Sequence, residues 1–209
     1  MGSFLFLYLH TSILINTINF ITKYNIILGS SSPRRKELLR DLGIIFTVKT
    51  KNKEEKYPAI LKDEDIAKFL ARQKASYFLN QLKNDDLLIT ADTIVTLDSI
   101  IFNKPKDKND AFNMLSKLSN STHKVITGVC IKTQDKELVF STTTLVTFKK
   151  LLEEEINFYI TNYNPLDKAG GYGIQEWIGK VGIVTIKGSY TNVVGLPLTE
   201  LYENLKKFK

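Results

Sequence analysis

Apolar and polar positions along the chain fall into short blocks whose period changes from one block to the next. Residues 25–28 are a brief apolar run that reads as a buried strand, followed by Gly29-Ser30-Ser31-Ser32-Pro33. Ser32 is a favourable N-cap and proline suits the first helical position, so a helix is expected over 33–42, stopped by Gly43. Residues 44–49 read as another strand. Over 63–82 the apolar residues Ile66, Phe69, Leu70, Tyr77 and Phe78 recur at a helical period. Residues 87–97 form a continuous apolar run interrupted by Asp92, which suits a central buried strand. Helical spacing returns over 107–118 at Ala111, Met114, Leu115 and Leu118. Two β-rich runs, 124–132 and 137–148, flank a hairpin turn at 133–136. The expected order closes with a helix over 152–161, a Gly- and Pro-bearing loop over 164–173, a strand over 181–186, a loop over 188–197 and a helix over 198–207. Hairpins and crossovers are mixed, so the fold class is α/β (mixed α+β) around a mixed twisted sheet. No internal repeat and no flexible linker divides the chain.

Residues 1–22 contain no Asp, Glu, Lys or Arg and are rich in Phe, Leu and Ile. Polar residues dilute the run below what a bilayer span asks for, and it lacks the basic start of a secretory signal. The expected organisation is an apolar extension over 1–24, either disordered and dispensable, a targeting or anchoring segment, or an element packed on the domain, followed by one domain over 25–209.

A length of 209 residues fits one domain or two small lobes sharing a cleft. Hydrophobic residues at 43% and charged residues at 24% exclude a disordered or fibrous chain. One cysteine, Cys130, excludes an intramolecular disulfide and any multi-cysteine metal site, and two histidines, His10 and His123, exclude a histidine-rich one. A single cysteine also fits a reducing compartment. The net charge of +7 favours anionic partners, but much of the excess is scattered lysine of the kind that solvates a surface. Aromatic platforms beside basic stripes are not evident, so no stable nucleic-acid partner is expected.

Several segments carry residues that a bare scaffold does not need. In Gly29-Ser30-Ser31-Ser32-Pro33-Arg34-Arg35, a small-residue turn presents N–H groups and hydroxyls at the positive end of a helix. Arginines there are electrostatically misplaced, and an anion such as a triphosphate would compensate; an ordinary capped helix with two solvated arginines is the alternative. The segment is not a P-loop, since no Gly-Lys-Ser/Thr follows. Asp92, a carboxylate inside an apolar run, is costly unless it lies at a strand end, pairs with a cation or binds a metal. It suits a general base, a Mg²⁺ ligand or a structural cap. Lys74 lies along the apolar stripe between Leu70 and Phe78, where it either snorkels to solvent or reaches a cleft. Lys104 precedes the stiffening Pro105. Glu54 and Glu55 interrupt a lysine-rich loop. The stretch from Asp167 to Gln175 is dense in glycine, and Gln175 carries both a donor and an acceptor, as reading a base edge requires. Cys130 and His123 have no partner at metal or nucleophile spacing and read as structural.

In order along the chain, these segments resemble the Maf family of nucleoside triphosphate pyrophosphatases. The resemblance rests on Ser30 to Leu39, Leu70 to Ala75, Ala91-Asp92-Thr93-Ile94-Val95, Lys104-Pro105, Leu115 to Ser119, Thr122 to Val129, Asp167 to Gln175, and Gly188 to Leu198. It implies a two-lobed α/β fold with a central cleft, similar to that of inosine triphosphatase. It also implies cleavage of a triphosphate between the α and β phosphates with a divalent metal, Mg²⁺ or Mn²⁺, in a cytoplasmic homodimer. Asp92 matches the proton acceptor, while Ser30, Arg34, Arg35, Lys74 and Lys104 match the phosphate-side residues. Glu55 matches the acidic loop residue that would share a metal with Asp92. Arg34, Thr93 and Gln175 match the branch acting on dTTP and UTP, with modified pyrimidine nucleotides as a further expectation. The alternatives are the same reaction on 7-methyl-GTP or another purine nucleotide, and a non-catalytic nucleotide- or nucleic-acid-binding regulator of cell division. Two departures stand out: Gly171 in place of Ala, and Glu176-Trp177-Ile178 where the family is richer in glycine.

Overall fold

The strand β1 (Asn25–Leu28) lies parallel to two neighbours, the short β2 (Thr47–Val48) and the long β3 (Asp86–Leu97). In the computed structural model, which describes residues 23–51, 53 and 56–208, β3 pairs antiparallel on its far side with β5 (Thr122–Lys132). From there the sheet continues through β6 (Glu137–Phe148) to β7 (Ile183–Lys187), and β4 (Ile100–Phe102) folds back on the end of β3. The product is a seven-stranded mixed sheet in the order β2-β1-β3-β5-β6-β7, with β4 beside β3. The expected α/β class holds. The apolar extension lies, through residue 22, outside the described residues, as does Glu55.

Helices cover both faces of β3, which is why it reads as a continuous apolar run rather than an alternating one. On one face Leu88 and Ile94 pack against Ala71, Phe78, Ile66 and Leu70 of α2 (Asp63–Ser76) and the turn after it. On the other, Leu87, Ile89, Ala91 and Val95 join a larger core. That core includes Leu38 and Leu39 of α1 (Pro33–Asp41), Leu115 of α3 (Lys108–Leu118) and Tyr159 of α4 (Glu153–Tyr163). Ser32 caps α1 as expected, its hydroxyl accepting from the Arg35 N–H, and Asp107 caps α3 in the same way.

Four expectations needed adjustment. The strand over 44–49 pairs only at Thr47 and Val48, both exposed at the sheet edge. The helix over 63–82 ends at Ser76 and gives way to a 3₁₀ turn, Leu79–Gln81; Phe78 and Leu82 stay buried, so the apolar spacing persists where the α-helix does not. Val181 and Gly182 close a short helix, α5 (Trp177–Gly182), before β7 begins. The loop over 188–197 contains α6 (Tyr190–Val194), capped by Ser189 and ended by Gly195 at φ 125°. A last helix, α7 (Leu198–Leu205), buries Leu201 and Leu205.

The pairing of β3 leaves an opening. β1 accompanies it only as far as Ile89, and β4 joins only from Val95. The Gly29 N–H donates to the Ile89 carbonyl at 2.8 Å, and the chain then turns away into α1. Among the described residues, positions 90–94 of β3 therefore have a strand, β5, on one side only.

Candidate functional site

Asp92 lies in that opening, buried to 8% exposure, opposite Gly128 of β5. Its Oδ1 accepts from Lys74 Nζ at 2.5 Å, and the same ammonium lies 3.5 Å from the Ala91 carbonyl. Lys74 reaches it because α2 presses unusually close to the sheet. A Cβ on Gly128 would sit 2.1 Å from the Ala67 carbonyl oxygen, so the helix backbone rests directly on β5. Of the two readings open to Lys74, the inward one describes the molecule.

The arginines behave differently from each other. Arg34 Nη1 donates to Asp167 Oδ2 at 2.8 Å. Burial alone would raise the Asp167 carboxyl, but the Lys168 ammonium and Arg34 guanidinium outweigh it and hold the group below the ordinary aspartate range. Arg35 is tied into the scaffold: Nε donates to the Gly195 carbonyl at 2.8 Å, Nη2 to Thr93 Oγ1 at 3.0 Å, and Nη1 to Ser30 Oγ at 3.5 Å. The proton on Thr93 can be assigned. Thr127 donates its only hydroxyl proton to the Asn192 carbonyl at 3.0 Å, so in the 2.9 Å pair between the two threonines Thr93 is the donor. A relay thus runs from Arg35 through Thr93 and Thr127 to the backbone of Asn192, within α6.

The glycine-dense loop forms the facing wall. Gly170 and Gly171 take φ of 74° and 71°, a conformation that side-chain-bearing residues avoid. Gln175 is exposed, and no described residue hydrogen-bonds its side chain. Between these walls lie two adjoining cavities. One, of about 430 Å³, takes in Asp92, Thr93 and Gln175 with the apolar Val95, Ile174 and Val194. The other, of about 540 Å³, takes in Ser30, Ser31 and Lys51. Arg34, Arg35, Lys74 and Lys104 line both. Ser30, Arg34, Arg35, Lys74, Asp92, Thr93, Lys104 and Gln175 are therefore gathered at one cleft whose cations outnumber its acids, a match for an elongated anion. Glu55 is outside the described residues.

Asp92, the carboxylate that the sequence puts forward as a metal ligand, is engaged by Lys74 through Oδ1. No three of the described His, Cys, Asp and Glu residues cluster as a cage. This donor set fits a hard cation held by one or two carboxylates and by the phosphates of a bound nucleotide, the usual mode for Mg²⁺.

Sequence reasoning missed Thr127, Asn192, Asp167 and Lys168 as partners of the site. Thr127 looks like any strand threonine, and only the register of β3 on β5 places it against Thr93. His123 and Cys130 are structural, as read. His123 is 1% exposed, stacks on Phe148 at 5.4 Å, and burial lowers its pKa to about 4. Burial pushes the Cys130 thiol up to about 12, which removes it as a nucleophile at neutral pH.

The family model described as "Maf-like protein" matches residues 25–208. A protein of Phocaeicola vulgatus named dTTP/UTP pyrophosphatase is 54% identical over 188 residues, covering 90% of this chain and 97% of its own. One of the same name from Flavobacterium psychrophilum is 52% identical over 177 residues, covering 85% and 91%. A solved nucleoside-triphosphatase / dITP/XTP pyrophosphatase from Mycobacterium abscessus overlaps 59% of this chain and 72% of that one at 15% identity. Its TM-score is 0.36, too slight an overlap to bear on fold or activity.

Proposed function

The chain belongs to the Maf-like family, and on that premise we propose that it hydrolyses dTTP and UTP between the α and β phosphates, releasing the monophosphate and pyrophosphate. The observation that carries this reading is the Asp92–Lys74 pair, held at 2.5 Å on the open stretch of β3 inside a cationic cleft. Relatives about half identical over most of the chain, named dTTP/UTP pyrophosphatase, support the choice of substrate.

In this reading the triphosphate lies along Ser30, Arg34, Lys74 and Lys104, and the three cations stabilise the negative charge that builds on the departing pyrophosphate. Asp92, oriented by Lys74, is the proton acceptor for the attacking water. A divalent cation, Mg²⁺ or Mn²⁺, would be held by Asp92 with phosphate oxygens, and by Glu55 as the sequence leads one to expect; when bound it supplies charge neutralisation at the phosphates. Gln175 offers its amide to the edge of the pyrimidine, while Val95, Ile174 and Val194 line the space for the ring. The Thr93 hydroxyl donates to Thr127 and accepts from Arg35, so one part it plays in selectivity is the placement of Arg35. A cytoplasmic homodimer belongs to the same reading. Among the described residues, no helix is long and apolar enough to cross a membrane.

The test is pyrophosphate release from dTTP, UTP, CTP, GTP and 7-methyl-GTP with Mg²⁺ or Mn²⁺. Wild type is expected to turn over dTTP and UTP selectively, and Asp92→Asn to lower kcat by on the order of 10³ while nucleotide still binds. Preferred turnover of a purine nucleotide would overturn the assignment of Gln175. No turnover by folded wild type would overturn the enzyme reading.

A further inference from the structure

No described residue hydrogen-bonds the Gln175 side chain, yet the loop that carries it is tightly held. Tyr159, fully buried on the inner face of α4, accepts from the Gly173 N–H at 2.9 Å and donates its hydroxyl proton to Glu176 Oε2. These two contacts fall on either side of Gln175. The Glu176 N–H also donates to the Gly173 carbonyl at 3.0 Å, closing the turn between them. The other oxygen of Glu176 pairs with Lys168 at 3.1 Å, and that lysine, only 7% exposed, pairs in turn with Asp167 at 2.7 Å. Packing leaves little slack. A Cβ on Gly173 would meet the Glu176 carboxyl carbon at 2.9 Å and Lys168 Cε at 3.1 Å. One on Gly179 would meet the Ile174 carbonyl oxygen at 2.1 Å.

We propose that Tyr159 and Glu176 are positioning residues for nucleobase selection: they set the backbone on both sides of Gln175, so that its side chain meets the base at one distance and one angle. The proposal rests on the reading of Gln175 as the residue that contacts the base. Glu176 also carries the arrangement onward. Through Lys168 and Asp167 it connects to Arg34 on the phosphate side, so the base-reading loop and the phosphate-reading helix share one chain of charged contacts. Neither Tyr159 nor Glu176 is among the residues lining either cavity, which distinguishes holding the loop from touching the substrate.

The experiment compares wild type, Tyr159→Phe, Gln175→Ala and the double variant, with Glu176→Gln read for selectivity should Tyr159→Phe fail to fold. For Tyr159→Phe the expected result is an approximately tenfold higher KM for dTTP with little change in kcat, and a dTTP-over-CTP preference narrowed by the same factor. Inhibition by tripolyphosphate, which has no base, should stay within about twofold of wild type, a result that a general loosening of the cleft would not give. The double variant should lose no more than Gln175→Ala alone, since the tyrosine acts through the glutamine. An unchanged dTTP-over-CTP preference in the folded variant, fully additive losses, or tripolyphosphate inhibition weakened as much as KM rises would each overturn the positioning role while leaving the hydrolysis reading intact. A folded wild type that turns over no nucleotide would overturn both.

Discussion

The hydroxyl of Thr93 has one proton, and Thr127 takes it, leaving Thr93 to accept from Arg35. That direction makes Thr127, buried and out of the cleft, a determinant of where Arg35 points. Thr127→Val keeps the shape but removes both the acceptor for Thr93 and the donor to Asn192. It is expected to lower kcat/KM for dTTP by about tenfold, while Thr127→Ser stays within about twofold, as steady-state kinetics would show. Residues of this kind differ in how readable they are. Asp92 is conspicuous because a carboxylate in an apolar run demands a partner, and two adjacent arginines in a helix's first turn are conspicuous because acids are the favoured residues there. A threonine in a strand demands nothing, being an ordinary β-former, so Thr127 stays hidden until its neighbour across the ladder is known. Lys74 is intermediate: its place on the apolar stripe was plain, but whether its ammonium turned outward or inward depended on what lay across from it.

Among the elements, the contact between α2 and β5 matters most, because it brings Lys74 within reach of Asp92. Ala67 lies against Gly128, and Gly128 is the cross-strand partner of Asp92, so helix, glycine and carboxylate form one stack. Gly128→Ala must lift the helix backbone from the sheet. The expected cost is about 2–3 kcal/mol of stability, read as a lower denaturation midpoint, together with a loss of turnover beyond the fraction unfolded as the Lys74–Asp92 pair opens. Most elements were legible from local signals: the cap at Ser32, the two β-rich runs around the turn at 133–136, the helical spacing over 63–82. The exceptions are physical. α6 is too short to show a period, its cap at Ser189 and stop at Gly195 being indistinguishable from turn chemistry. The strand read over 44–49 pairs only at β2, whose two residues are exposed, so no buried face marks where its pairing begins and ends.

For the whole molecule, the buried histidine ties stability to pH. His123 stays neutral in the folded state down to about pH 4, because burial opposes the charged form, whereas an unfolded chain protonates it near pH 6.5. Between those values the unfolded state binds more protons. The contribution of His123 is therefore complete above about pH 6.5 and falls away as the pH drops toward 4, by about 3 kcal/mol in all. Urea titrations at pH 7 and pH 4.5 should show this loss in wild type and a much smaller one in His123→Asn, once the variant's lower stability at pH 7 is subtracted. At this scale the limits of the linear chain are clearest. Caps, periods and chemically misplaced residues are properties of neighbouring positions, so the mixed α/β class, the helix after Ser32 and the candidates Asp92, Arg34, Lys104 and Gln175 could be read before any fold was known. The open stretch of β3, the closure of Lys74 on Asp92, the pinning of Arg34 by Asp167 and the proton order through Thr93 could not. Each joins segments far apart in sequence, and strand register and close helix packing are set by how whole faces bury against each other rather than by any local pattern.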